Sequence, residues 1–456
     1  MKTNFLFVFV LFAISAFSQN ADSLAEVREV DSLIQASRDL TAKRDFDKAL
    51  EVNAVAEKIA LENFGKESAE YGNCCQQYGK ILARKGDIAE AVKWYQLTLD
   101  IRGKALGKVH PDYVISLNDL GLLYWNMGNF REAEPLLQEA LNIQEKVLGK
   151  DNAGYANSLF NLGVLYGRNG DFKKAEPYLL AARTIQEKTP GKTHPDYARS
   201  VNGLGLVYDG MAEYEKAEPF LHESKSIREK MLGKINPEYC GSLINLGNLY
   251  RQMQNYEKAE PYYIEAKEIF EVQLKNLYHP FYMNCLGGLG RLYQDLGDHG
   301  KAEPIFLEAS ALREKKFGKG HPDYALSLMD LGFTYFTMGN YKKSWDLFFE
   351  AKTILEHAQL KENPEYAASL QGIARFYSAS QSPQYENAEE LLLEAKTILE
   401  NSRGKEHPDY LGCLTELGNL YFNMRRYENC EAIYLEILNI TAKTKGKAYS
   451  HYIRNL

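Results

Sequence analysis

Beyond its first 18 residues the chain has no apolar run long enough to cross a bilayer, so no membrane helix is expected there. Positive charge is not in excess: 54 lysines and arginines face 61 aspartates and glutamates, giving a net charge of −7. That balance excludes the broad basic surface used for nucleic acid. HExxH, CxxC, a glycine-rich phosphate loop and a serine elbow are all missing, so no motif announces catalysis, a cofactor or a metal. Cysteine is scarce, with six residues and no metal-ligand spacing. Cys74, Cys285 and Cys413 share one position of a recurring pattern, which places them far apart; Cys75, Cys240 and Cys430 fall elsewhere. They read as small core residues, not as disulfide partners.

What is present is repetition. Tyr113, Tyr155, Tyr197 and Tyr239 follow one another at 42-residue intervals. The register continues with small slips through Tyr282, Tyr324, Tyr366, Tyr410 and Tyr452. A fixed period of this length signals a solenoid, in which each unit buries its apolar face by stacking on its neighbours. Within one unit, Leu117, Leu120, Tyr124 and Met127 recur at helical spacing and form one stripe. Gly128-Asn129 interrupts it, glycine suiting a left-handed helix end and asparagine a following cap. A second stripe runs through Phe130, Ala133, Leu137, Ala140 and Ile143. Each unit therefore predicts a helical hairpin, and the fold class is all-α.

Small residues recur where two helices must approach. Gly121, Gly163, Gly205, Gly247, Gly290, Gly332 and Gly418 hold one position, and Ala133, Ala175, Ala217, Ala259 and Ala302 another. Glycine inside a helix costs about 1 kcal/mol relative to alanine, so its recurrence implies a steric demand. Seven prolines precede the opening tyrosines, where a helix starts easily. Five more follow Ala-Glu in the second helices and are expected to bend their first turns. His110, His194, His279, His321 and His407 recur before those opening prolines. Stacked units hold them too far apart to share an ion, which leaves a turn or cap role.

The Leu-x-x-Leu-Gly-x-x-Tyr word, followed by two alanines seven residues apart, resembles the tetratricopeptide repeat. The 42-residue length resembles the long repeats of kinesin light chains. The resemblance implies a right-handed superhelical solenoid of about nine to ten repeats whose first helices line a concave, peptide-binding groove. Mapped onto this chain, the groove positions are Asn118, Asn161, Asn202, Asn245, Asn248, Arg251, Arg291, Arg375 and Asn419. Asparagine amides both donate to and accept from a peptide backbone. The arginines are expected to receive a ligand carboxylate bidentately. A non-catalytic scaffold binding a peptide or protein segment follows. The alternative is the sensor part of a larger signalling or caspase-like protease protein.

Residues 1–18 carry Lys2, an apolar run from Phe5 to Phe17, and small residues before a cut expected between Ser18 and Gln19, the pattern of a secretory signal. Export to the periplasm or medium is therefore expected. Residues 19–70 read as a lead and a degenerate capping repeat that keeps only its second helix clearly. Residues 71–451 form the array, with starts near 71, 113, 155, 197, 239, 282, 324, 366 and 410. Residues 452–456 read as the start of a truncated further repeat. Ile433, Leu435, Leu438 and Ile440 would then lack a covering helix, so self-association through that end is expected.

Overall fold

The computed structural model describes residues 24–444 apart from 359 and 381. The signal-like segment with Ser18 and Gln19, and residues 452–456, lie outside the described residues. Those described form twenty α-helices and no strand. The chain divides into two compact units, Met1–Asn126 with Glu132–Val147, and Met127–Arg131 with Leu148–Leu456.

The first unit holds α1 (24–42), α2 (Phe46–Asn63), α3 (Ala69–Lys85), α4 (Ile88–Ala105), α5 (Pro111–Asn126) and all but the ends of α6 (Phe130–Leu148). Its leading repeat is more complete than expected, because α1 is a full first helix. Val30 and Ile34 are buried against Ala56, Ala60 and Cys74. The stripe was hidden because two of its buried members are polar. Ser37 Oγ donates to the Ala49 carbonyl at 2.8 Å, and Gln77 Nε2 donates to Thr41 Oγ1 at 3.2 Å.

The second unit continues the hairpins: α7 (Ala153–Arg168), α8 (Phe172–Gln186), α9 (Pro195–Gly210), α10 (Tyr214–Leu232), α11 (Pro237–Gln252), α12 (Tyr256–Glu268), α13 (Pro280–Asp295), α14 (His299–Phe317), α15 (Pro322–Thr337), α16 (Tyr341–His357), α17 (Pro364–Ala379), α18 (Tyr385–Arg403), α19 (Pro408–Asn423) and α20 (Tyr427–Thr444). The histidines before the prolines are helix caps. His194, His279, His321 and His407 each accept through Nδ1 from the backbone N–H two residues on, at 3.0–3.2 Å. Asn236 and Asn363 take the same place with Oδ1. The interior prolines lie within helices that continue past them.

The recurrent glycine answers to a close crossing. A Cβ on Gly205 would lie 2.5 Å from Leu221 Cδ2, and one on Gly290 2.6 Å from Phe306 Cε1. In each pair the bulky residue comes 16 positions later, on the second helix of the same hairpin. Two tyrosine bonds hold the hairpins together. Tyr197, Tyr239, Tyr282 and Tyr410 donate to Glu223, Glu265, Glu308 and Glu436 within their own repeats at 2.6–2.9 Å. Tyr208, Tyr250, Tyr293, Tyr335 and Tyr421 reach back to Glu176, Glu218, Glu260, Glu303 and Glu389 on the preceding repeat.

All six cysteines are buried and free. Desolvation raises the Cys74, Cys75 and Cys240 thiols to about 12. On α20, Ile433 is buried, contrary to expectation, because it joins the core of α19 and its neighbours; Leu435 and Leu438 are exposed.

Within the second unit, helices far apart in sequence also meet. A Cβ on Gly170, in the turn between α7 and α8, would lie 2.7 Å from the His407 ring. His407 also bonds the Arg168 backbone. Asn363 Nδ2 donates to the Met127 carbonyl at 3.0 Å.

Candidate functional site

The residues expected to line a groove all lie on first helices: α5, α7, α9, α11, α13, α17 and α19. The structure brings some of them together and spends others on internal bonds. Asn202, Asn245, Asn248 and Arg291 line one cavity of about 380 Å³. Asn118, Asn161, Arg251, Arg375 and Asn419 do not line it.

The three arginines correct the sequence reading. Each holds an acid of the following repeat instead of standing free for a ligand. Arg251 Nη1 lies 2.6 Å from Asp295 Oδ2 and Arg291 Nη2 3.0 Å from Asp330 Oδ1, while Arg375 pairs with Glu416. The asparagines are bonded too. Asn245 Nδ2 donates to Asn202 Oδ1 at 2.8 Å. Asn248 and Asn419 each accept from a tyrosine hydroxyl, Tyr263 at 2.6 Å and Tyr434 at 2.8 Å. Much of the polar inner face is thus a ladder joining consecutive first helices. Single-repeat reading missed its rungs because Arg251, Arg291 and Asn202 find their partners 39 to 44 residues downstream.

The cavity contains residues that the sequence reading passed over. Arg168, Arg228, Asn284, Gly287, Gly288, Arg313 and Asp330 line it with the asparagines. Arg228 and Arg313 come from second helices and are 8% exposed. Arg228 Nη1 donates to Ser242 Oγ at 2.9 Å, and its Nη2 lies 3.3 Å from Glu238 Oε2. Arg102 stands at the same place in the first unit. These three arginines each lie eleven residues before an opening tyrosine, which was the available sequence signal. No group of three or more His, Cys, Asp or Glu able to hold a metal occurs among the described residues.

The tetratricopeptide repeat family matches residues 71–146, 116–188, 154–230, 238–315 and 292–357, with a further match at 411–444, together more than half of the sequence. The chain belongs to the tetratricopeptide repeat family. Over 78 residues it is 36% identical to amyloid protein-binding protein 2 of Rattus norvegicus and of Mus musculus. That stretch is 17% of this chain and only 13% of those relatives. Among solved structures, a Rap protein complexed with Competence and Sporulation Factor gives a TM-score of 0.54 at 16% identity, over 82% of this chain and 98% of that one. BtubC (BKLC) from P. vanneervenii gives 0.41 at 22% identity, over 52% and 92%. The likeness to the Rap protein is one of fold.

As a tetratricopeptide array, the second unit offers this cavity between the first helices α9, α11, α13 and α15 of four successive repeats. Its polar groups are amides and guanidiniums with two carboxylates, Glu238 and Asp330, each beside an arginine. Such a set suits hydrogen bonding and charge recognition. No helix among the described residues is long and apolar enough to cross a membrane.

Proposed function

We propose that this tetratricopeptide protein is an exported, non-catalytic interaction scaffold that holds an extended peptide or protein segment along its first helices. The carrying observation is the cavity beside Asn202, Asn245, Asn248 and Asn284, whose amides suit a peptide backbone without demanding one sequence. Its volume falls within the ~300–1,000 Å³ span of ordinary ligand pockets. Export is supported by the pattern of residues 1–18. The fold neighbour solved in complex with a factor supports the architecture of such a scaffold and nothing finer.

Two experiments test this reading. Random peptides displayed on phage are panned against the chain from Gln19 onward, and the best binders are measured on Asn245→Ala/Asn284→Ala. Weakened binding with an unchanged melting midpoint is expected; equal affinity on both proteins rejects the cavity as the site. Cells expressing the full chain are fractionated, and an exported product starting at Gln19 is expected. A cytoplasmic product that retains Met1 rejects export.

A further inference from the structure

Two first helices of the second unit open against turns far earlier in the chain. Asn363, three residues before Tyr366, donates through Nδ2 to the Met127 carbonyl, and a Cβ on Gly128 would lie 2.9 Å from Pro364 Cδ. His407, three residues before Tyr410, bonds the Arg168 backbone and rests on Gly170. In both places the residue seated on the turn is the cap of a first helix.

The 42-residue period gives this series a third member. Moving both partners of the His407 contact on by one repeat leads from Gly170 to Ala212 and from His407 to Tyr449. Ala212 lies between α9 and α10 and has a φ of 54°, in the left-handed region like the 78° of Gly170. Tyr449 stands three residues before Tyr452, the place that Asn363 and His407 hold before their own tyrosines. At this third turn the described residues leave a cavity of about 530 Å³. Gly210, Ala212, Phe172, Tyr214 and Tyr256 line it, together with Pro408, the neighbour of the residue in the preceding seat.

Helix α20 carries an independent mark. Lys225 and Lys352 lie over the rings of Tyr239 and Tyr366, each 14 residues later, at 5.5 and 5.6 Å; Arg183 lies over Tyr197 at 5.7 Å. The residue at that place in α20 is Leu438, 44% exposed and 14 positions before Tyr452. An aromatic ring there would take its apolar surface out of water. Tyr452, Ile453 and Leu456 also repeat the spacing of Tyr410, Leu411 and Leu414, which are fully buried.

We propose that residues 449–456 dock on their own chain as the opening of a further first helix, with Tyr449 in the cavity at the Gly210–Ala212 turn and Tyr452 over Leu438. This contact continues the seam that Asn363 and His407 begin, and it is independent of peptide binding in the groove. The surrounding rings and Pro408 give a tyrosine ring apolar contact. Its hydroxyl remains able to donate to a carbonyl of the turn, as Asn363 does to that of Met127.

Hydrogen exchange of the full chain is compared with that of Tyr449→Ser and of Tyr452→Ser. Amides of Gly210–Tyr214 are expected to exchange about tenfold faster or more in both variants. Those of Asn169–Asp171, the seat of His407, should keep their rate, which separates this contact from general loosening of the array. Equal exchange at Gly210–Tyr214 in the variants and the original protein overturns the proposal. A short bismaleimide is then applied to the full chain carrying Ala212→Cys and Tyr449→Cys, the native cysteines being buried. A cross-linked monomer is expected in dilute solution. A cross-linked dimer in its place means that a second copy fills the seat, and overturns docking within one chain.

Discussion

Tyr250 donates its hydroxyl to Glu218, 32 residues earlier and on the preceding repeat, and so joins two repeats through one bond. Burial and the neighbouring carboxylate hold the hydroxyl well above the usual tyrosine pKa. A neutral net hydrogen bond contributes about 1 kcal/mol, and one to a charged group about 1.5–3 kcal/mol. Tyr250→Phe should therefore destabilise the chain by about 1–2 kcal/mol, read by urea unfolding. Removal of Glu218 as well should add little, and full additivity in that cycle would show that the pair is uncoupled.

Two glycines in equivalent helices should respond with opposite sign. Gly205→Ala forces a methyl to 2.5 Å from Leu221 and is expected to destabilise by about 1–3 kcal/mol despite alanine's better helix propensity. Gly287→Ala meets open space and should stabilise by up to about 1 kcal/mol. Melting midpoints that move in the same direction would refute the steric account.

The Arg291–Asp330 pair spans adjacent repeats with its arginine half exposed. Screening limits such a pair, so a double-mutant cycle with Met and Asn should give a coupling below about 1 kcal/mol. The coupling should shrink in high salt. A larger, salt-independent value would mean that this rung of the ladder is the main tie between the repeats.

Burial raises the Asp209 carboxyl to about 7, opposed by Gln252 and Arg251. Its folded pKa exceeds its unfolded value, so the penalty is absent at low pH, grows as pH rises from about 4 to 7, and then levels off. Asp209→Asn should gain stability relative to the original protein over that window. A pH-independent difference between the two proteins would show that Asp209 stays ionised.

His407 behaves with the opposite sense. Burial lowers its pKa to about 4, with Asp409 opposing and Arg403 reinforcing. The unfolded imidazole protonates first, so its stabilising contribution is complete above pH ~6.5 and is lost as pH falls towards 4. His407→Asn preserves the cap, as Asn236 and Asn363 do, and should flatten this acid limb. An unchanged limb in chemical unfolding would place the titration on another group.

Elements whose cause is local were legible in the sequence. Proline at the first helical position, the capping histidine and the glycine facing a bulky residue 16 positions later all repeat in phase, so periodicity displayed them. Arg251, Arg291 and Arg375 misled because their acids sit in the next repeat at a different phase, where no single-repeat reading looks. Helix α1 was obscured by Ser37 and Thr41, buried polar residues that break an apolar stripe without breaking the helix.

The contact of His407 with the α7–α8 turn has a consequence for cooperativity. Repeat arrays ordinarily unfold as a line of neighbours, each unit sensing only the next. Here the head of α19 rests against residues more than two hundred positions earlier in the same unit. Loosening the late repeats therefore withdraws support from an early turn, and the intervening hairpins are closed into one circuit of dependence. Fraying of the late repeats is therefore expected to weaken protection of the amides of Asn169–Asp171 as well.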